Sequence, residues 1–351
     1  FAVLRMKRYI ITILILLATS IVYSQHQSVT TQGTEFWAAF LLNGDHSVGD
    51  SGLELSLMVT AKRACSVTVR NPNSTWTNTF NVGANATYKC VIPTSQHSQC
   101  YLNSPTSTAV NKGLLITSTD TISLYASNFA SASFDGSIVL PTTALGNEYI
   151  IQTYKPTLAG YTDDEACSEF SVTATEDNTI VDVTPSVSCY TNSSATTTSN
   201  FTITLNRGQS AFIKSATRNE NGNLSGTRVI ARDCKKIAVF NGNNTTQVPS
   251  GNYGDHIYEQ AFPTTSWGKK FVITNTLQNA TTGRTKDCVR VTASSDNTTI
   301  RKNNTLLTTI NAGQTYEFQI TATEKAVYLE TSNPCAVYMY LVSQTAGGSS
   351  L

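Results

Sequence analysis

The reactive side chains of this chain are few: eight cysteines, four histidines and 23 carboxylates among 351 residues. The cysteines, Cys65, Cys90, Cys100, Cys167, Cys189, Cys234, Cys288 and Cys335, are even in number, which in an exported chain reads as disulfides. Zinc needs closely spaced ligands, but there is no C-x-x-C, and His26, His46, His97 and His256 lie far apart, so no metal or other cofactor is expected. Calcium is a weaker reading of Asp163–Glu165 and Glu176–Asn178, which lack the alternating oxygens of a calcium loop and read as solvated turns. A serine hydrolase is not indicated, because no G-x-S-x-G elbow occurs. Glycoside hydrolysis needs two carboxylates roughly 5–10 Å apart. Glu165 with Glu169, or Asp255 with Glu259, could supply such a pair, but any β-protein offers similar pairs by chance. The chain is therefore expected not to be an enzyme.

One segment breaks the pattern of its surroundings, "GDHIYEQAFPTTSWG" from Gly254 to Gly268. It carries a candidate binding surface or hinge made of Asp255, His256, Glu259, Gln260 and Trp267. The competing reading is packing between modules, with Trp267 as a buried plug and His256 as a satisfied donor.

The elements that must position these residues repeat three times. "GTEF" at Gly33, "GNEY" at Gly146 and "GKKF" at Gly268 each open a β-rich stretch that reaches a T-A step at Ala61, Ala174 and Ala293. "PTTALGNEYIIQ" from Pro141 matches "PTTSWGKKFVIT" from Pro263, and "VTATEDNTI" from Val172 matches "VTASSDNTTI" from Val291. Glycine turns at Gly83, Gly208 and Gly313 precede aromatic-bearing strands, and apolar strands close the units at Ile122–Tyr125, Ile237–Phe240 and Val337–Tyr340. Such a period means one module used three times. Alternation in "ELSLMVTA", "SVTVR", "NFTITLN" and "KKIAVF", with short strands and turn residues between them, points to an all-β chain of three tandem β-sandwich, immunoglobulin-like modules supported by disulfides. Their expected bounds are 26–140, 141–262 and 263–345, with 346–351 a linker. Module equivalence suggests Cys167–Cys234 and Cys288–Cys335 bridges and a local Cys90–Cys100 clasp. Cys65–Cys189 would then have to join two modules.

Charged residues make up 13% of the chain and the net charge is +1, so it lacks the basic field that nucleic acid or an anionic membrane requires. The first methionine is Met6. Lys7 and Arg8, the apolar run Tyr9–Ala18 and small residues up to Ser24 follow it, the pattern of a secretory signal within 1–24. The run is short for a membrane span and is interrupted by Thr12, Thr19 and Ser20. Asn-x-Ser/Thr triplets at Asn73, Asn85, Asn192, Asn200, Asn223, Asn243, Asn244, Asn279, Asn297 and Asn303 follow from a composition rich in Asn and Thr, and do not by themselves indicate sugar.

The order "GTEFWAAF", "KGLLITSTDTISLYASN", "VLPTTALGNEYII", "GQSAFIK…LSGTRVIARDCKKIAVFNGN" and "DHIYEQAFPTTSWGKKFVI" resembles the IgGFc-binding protein N-terminal domain family, over about Gln32 to Val342. The resemblance implies a secreted or cell-surface, non-catalytic adhesive module whose partner is an extracellular protein or glycoprotein, of the mucin or immunoglobulin kind, and the form of the signal pattern with the Asn- and Thr-rich composition suggests a bacterial source. A structural spacer within a larger surface protein is the alternative, and a glycan hydrolase a weaker one. Export is checked by N-terminal sequencing of protein recovered outside the cytoplasm. The expected start is near Gln25, and a chain still beginning at Met6 rejects cleavage.

Overall fold

Val, Ile, Thr and Leu in alternation cannot form a helical stripe, but they cover one face of a pleated strand. The chain is accordingly nearly all β, with twenty-six strands and only short 3-10 turns among the described residues. The computed structural model describes residues 30–342 except 45, 47, 132, 157–165, 219, 250–253, 277–285 and 322. The signal pattern in 1–24, Asp163–Glu165, Asn279 and the 346–351 linker lie outside the described residues.

The strands fall into three sets. The first holds β1 (Gln32–Ala38), β2 (Phe40–Leu41), β3 (Glu54–Ala61), β4 (Cys65–Arg70), β5 (Thr77–Val82), β6 (Ala86–Val91), β7 (Tyr101–Leu102), β8 (Thr106–Val110), β9 (Leu114–Ala130) and β10 (Ser133–Val139). The second holds β11 (Glu148–Ile150), β12 (Ser168–Ala174), β13 (Thr179–Thr184), β14 (Cys189–Tyr190), β15 (Thr196–Thr197), β16 (Phe201–Leu205), β17 (Ser210–Ser215), β18 (Arg228–Ala231), β19 (Ile237–Thr246) and β20 (Asp255–Gln260). The third holds β21 (Gly268–Thr274), β22 (Lys286–Ala293), β23 (Thr298–Lys302), β24 (Thr305–Ile310), β25 (Thr315–Thr321) and β26 (Ala326–Tyr340).

Each set pairs its strands in the same order. The second set forms β16-β13-β18-β11 and, separately, β17-β12-β19-β20. In the first set β9 does the work of both β18 and β19. Its first half lies between β4 and β1, and its second half lies between β3 and β10. β26 is likewise shared, by β21 and β23 along its first half and by β22 along its second. A long strand that passes from one sheet to the next curls the sheets around a common core. In the second set that strand is broken by the turn Arg232–Cys234, where Asp233 and Cys234 take left-handed φ of 58° and 54°.

Alternation decides what is buried. In β3, Leu55, Leu57, Val59 and Ala61 face the core while Met58 and Thr60 face out. Phe212, Ala238, Phe240 and Tyr258 of the second set complete the core of the first, and Arg207 lies over the buried Trp37 ring at 5.2 Å. A second core surrounds Phe170 and Val172 and a third surrounds Val289 and Val291.

The junctions repeat as well. A Cβ on Gly33 would stand 2.5 Å from Pro141 Cβ, and one on Gly146 would stand 2.5 Å from Pro263 Cβ. At the other side of each junction, Gly113 N–H donates to Gly208 O (3.0 Å), and Gly226 lies against Gly313.

The expected bridges are not present among the described residues. β22 and β26 pair Cys288 with Tyr340 and Ala293 with Cys335. Five residues of strand therefore separate Cys288 from Cys335, about 16 Å and beyond disulfide reach. Cys167 sits beside Asn244 at one end of β19, whereas Cys234 precedes the other end. Cys90 Sγ accepts from Asn78 Nδ2 (3.4 Å), while Cys100 lies buried beyond the 3-10 turn Thr94–Gln99, near Lys112. Module equivalence aligned Cys167 with Cys288 and Cys234 with Cys335 by motif, and missed that the closing strand runs along the length of its neighbour.

Gly226 has φ +91°, and a Cβ there would meet Gly313 O at 2.4 Å. Gly226→Ala should therefore cost at least ~2 kcal/mol in urea unfolding. Gly49→Ala, at φ +85° with open space around it, should cost about 1 kcal/mol.

Candidate binding site

β20 carries most of the residues singled out in the sequence, and its surroundings define their role. The strand lies on the outer edge of β19, so every second N–H points away from the ladder toward β10. No backbone pairing joins β10 to β20, and side chains replace it. His256 N donates to Ser133 Oγ (3.1 Å), Tyr258 N to Asp135 Oδ2 (2.8 Å) and Gln260 N to Ser137 Oγ (2.7 Å). The offset is 123 residues each time, so the two strands run parallel with a fixed register. The serines pass the bond on. Ser133 donates to Asp255 Oδ1 (3.2 Å) and Ser137 to Glu259 Oε1 (3.1 Å). Phe134 N donates to Asp255 Oδ1 (2.9 Å), and Leu140 N donates to Gln260 Oε1.

His256 is 3% exposed. Its Nδ1 faces the carbonyls of Asn243 (2.9 Å) and Asn244 (3.3 Å), which only accept, so Nδ1 carries the proton and Nε2 accepts from Asn128 Nδ2 (3.1 Å). Burial lowers its pKa to about 4, against the pull of those carbonyls. Burial pushes Glu259 up to about 8, with Ser137 opposing and Asp135 adding to the rise. Burial also pushes Asp135 to about 6, opposed by the N–H groups of Tyr258 and Gly136. Trp267 is half-buried at the end of the turn Thr264–Ser266, and its Nε1–H donates to Phe262 O (3.1 Å).

The structure thus brings Asp255, His256, Glu259 and Gln260 together on one strand and gives each an internal partner. Asp255 and Glu259 are four residues apart on β20, about 13 Å along an extended strand. That is longer than the roughly 5–10 Å a glycosidase pair requires. Glu169 is fully buried, its carboxyl raised well above the usual range by burial, and Glu165 lies outside the described residues. Among the described residues no three of His, Cys, Asp or Glu come together as metal ligands, and no helix is long and apolar enough to cross a membrane. Asn243 and Asn244, which head two of the triplets, are fully buried and closed to a sugar.

The exposed chemistry lies one strand further out, where sequence reading did not place it. The outer face of β3, β9 and β10 presents Met58 (39% exposed), Tyr125 (44%), Phe129 (45%) and Phe134 (54%), and Val91 of β6 extends it. Register sets Met58 opposite Tyr125 and Phe129 opposite Phe134, whose rings lie 6.3 Å apart. A Lys89–Glu54 ion pair at 2.6 Å belongs to the same strands. The signal was present in "ISLYASNFA", where Tyr125 and Phe129 occupy outward positions of the alternation. Asp255 holds the Phe134 backbone, so the predicted residue positions this face from behind.

The chain belongs to the IgGFc-binding family: the family described as "IgGFc binding protein" matches residues 135–350. No curated protein matches the chain. Two solved structures share a faint likeness. One is a Ca2+-stabilised adhesin that helps an Antarctic bacterium bind ice, at 14% identity over 88% of this chain and 72% of that one, with a TM-score of 0.15. The other is a 1.5-MDa bacterial ice-binding adhesin retained on a host cell surface, at 13% identity over 87% and 88%, with a TM-score of 0.16. At these TM-scores the folds do not superimpose.

The shifted groups set a pH dependence. The raised Glu259 and Asp135 contribute stability that is present below their ordinary values and lost as pH rises through about 6 and about 8. The lowered His256 contributes stability that is present above 6.5 and lost as pH falls through about 4. Between pH 6.5 and about 8, of these three groups only Glu259 still acts. The thermal midpoint should fall across that window, and should fall less in Glu259→Gln, which keeps the acceptor for Ser137. Circular dichroism melts at fixed ionic strength would show this.

Proposed function

We propose that the chain is an exported, non-catalytic binding module, built of three sandwich modules near 26–140, 141–262 and 263–345, that recognises an extracellular protein or glycoprotein. The observation that carries this reading is the solvent-facing aromatic stripe of Met58, Tyr125, Phe129 and Phe134 on an otherwise polar, nearly neutral chain. Contiguous apolar patches rimmed by polar groups are features of interaction surfaces, and Tyr and Phe bring large contact area at low entropy cost. Family membership points the same way and supplies the partner class to test first, immunoglobulin Fc, with mucus glycoproteins second. Asp255, His256, Glu259 and Gln260 support the face from β20 rather than touch the ligand, and Trp267 packs at the turn that follows β20.

The test is binding of the chain to an array of immunoglobulin Fc and mucus glycoproteins by interferometry. Phe134→Ser combined with Tyr125→Ser should weaken binding at least about tenfold, with the melting temperature unchanged because both side chains already face water. Asp255→Ala should weaken it less, by loosening the Phe134 backbone. Unchanged binding in the double variant removes the aromatic face from the function. Absence of binding to every array member favours a spacer.

A further inference from the structure

The two junctions are built alike on one side and differ on the other. At the first, "NRGQS" makes a turn in which Gln209 N donates to Asn206 O (2.9 Å) and Asn206 N donates to Gln209 Oε1 (2.8 Å). At the second, "NAGQT" repeats both bonds, with Gln314 N donating to Asn311 O (2.9 Å) and Asn311 N to Gln314 Oε1 (2.8 Å). The strands that follow are equivalent, since Ser210 of β17 pairs with Thr173 and Thr315 of β25 pairs with Thr292.

Their outer edges are treated differently. β17 is covered by β8, a hydroxyl-rich strand from the preceding set, which pairs Val110 with Ser210 and Thr106 with Phe212. That strand belongs to the long excursion 92–113 between β6 and β9. The matching excursion between β17 and β18, 216–227, is shorter and places no strand on β25 among the described residues. A cleft of about 450 Å3 lies there instead, lined by Asn223, Ser225, Arg290, Ile310, Gln314 and Thr315, with Gly313 at its base. It occupies the place over the end of β24 and the start of β25 that β8 fills over β16 and β17. Equivalence with Ser210 and Phe212 turns the N–H groups of Thr315 and Glu317 outward, as open edge donors.

The chemistry of the floor selects the occupant. Arg290 is 6% exposed, and its charge is already answered by Glu317 at 3.7 Å, by the Thr153 carbonyl and by the Tyr154 ring at 5.3 Å. The cleft therefore offers little net charge to an anion but offers hydroxyl, amide and free strand-edge groups. We infer that the β25 edge at this cleft binds an extended, Ser/Thr-rich polypeptide strand of a partner protein, by the same edge addition that β8 makes to β17. This site is separate from the aromatic face.

The test uses the full chain and fluorescein-labelled nonapeptides: one with the sequence of residues 104–112, the others a library of Ser/Thr-rich variants of it. Saturable polarisation binding is expected, weakened at least about tenfold by Thr315→Pro, which removes an outward N–H at an edge position. Ser225→Trp, which fills the cleft, should weaken it similarly, and Thr315→Ser should leave it unchanged. Phe134→Ser should also leave peptide binding unchanged, while the cleft variants leave binding to the Fc and mucus arrays unchanged, so each site can fail alone. No saturable binding up to roughly 1 mM, or binding indifferent to both cleft variants, overturns the proposal.

Discussion

An edge strand has N–H groups that must find acceptors, and in this protein the acceptors are short polar side chains set at strand period. Ser133, Asp135 and Ser137 stand two residues apart and meet the N–H groups of His256, Tyr258 and Gln260 one by one. Asn241 and Asn243 of the central strand β19 do the same for the segment that follows β11, accepting from Gln152 N (2.9 Å) and Tyr154 N (2.8 Å). Leaving one such buried donor unmet costs roughly 1–3 kcal/mol, more than most single contacts return. Two sheets whose backbones never pair are joined because side chains stand in for carbonyls.

That constraint explains why the chemistry-bearing residues of β20 lie inside. Histidine, carboxylates and glutamine are the side chains from which a sequence reader builds a site. Here most of their polar atoms are engaged by internal partners, with the His256 ring stacked 6.0 Å from Tyr258, and Tyr258 stacked 5.2 Å from Phe240. The surface left for recognition belongs to the neighbour, where alternate residues of β9 and β10 point outward with nothing above them. Fold and recognition thus meet at Asp255, which sits exposed at the start of β20 and fixes the backbone of Phe134, the most exposed ring of the stripe.

Much of the fold could be read in advance. The T-A steps fall at the ends of β3, β12 and β22, and the glycine turns at Gly83, Gly208 and Gly313 each precede a strand, because alternation and turn chemistry are local signals. The span of β9 and β26 across two sheets was not legible. Only their apolar second parts, Ile122–Tyr125 and Val337–Tyr340, read as strands, and tertiary pairing joins the first halves to them. Misplacing that strand also misplaced the cysteines. The ladder from Ser133 to Ser137 was hidden for a different reason: polar residues at alternate positions look like an ordinary wet face until another strand is laid beside them. Tyr125 and Phe129 were visible as strand residues but not as surface, since side depends on a register that the sequence does not state.

The parallel run of β10 and β20 has a mechanical consequence. A pull along their common direction stretches the bonds at His256, Tyr258 and Gln260 together, in shear. An antiparallel hairpin opened from its end gives up its bonds one at a time, as a zipper does. The join therefore resists tension along the strands better than it resists peeling, and the three bonds share a load that no one of them would carry alone.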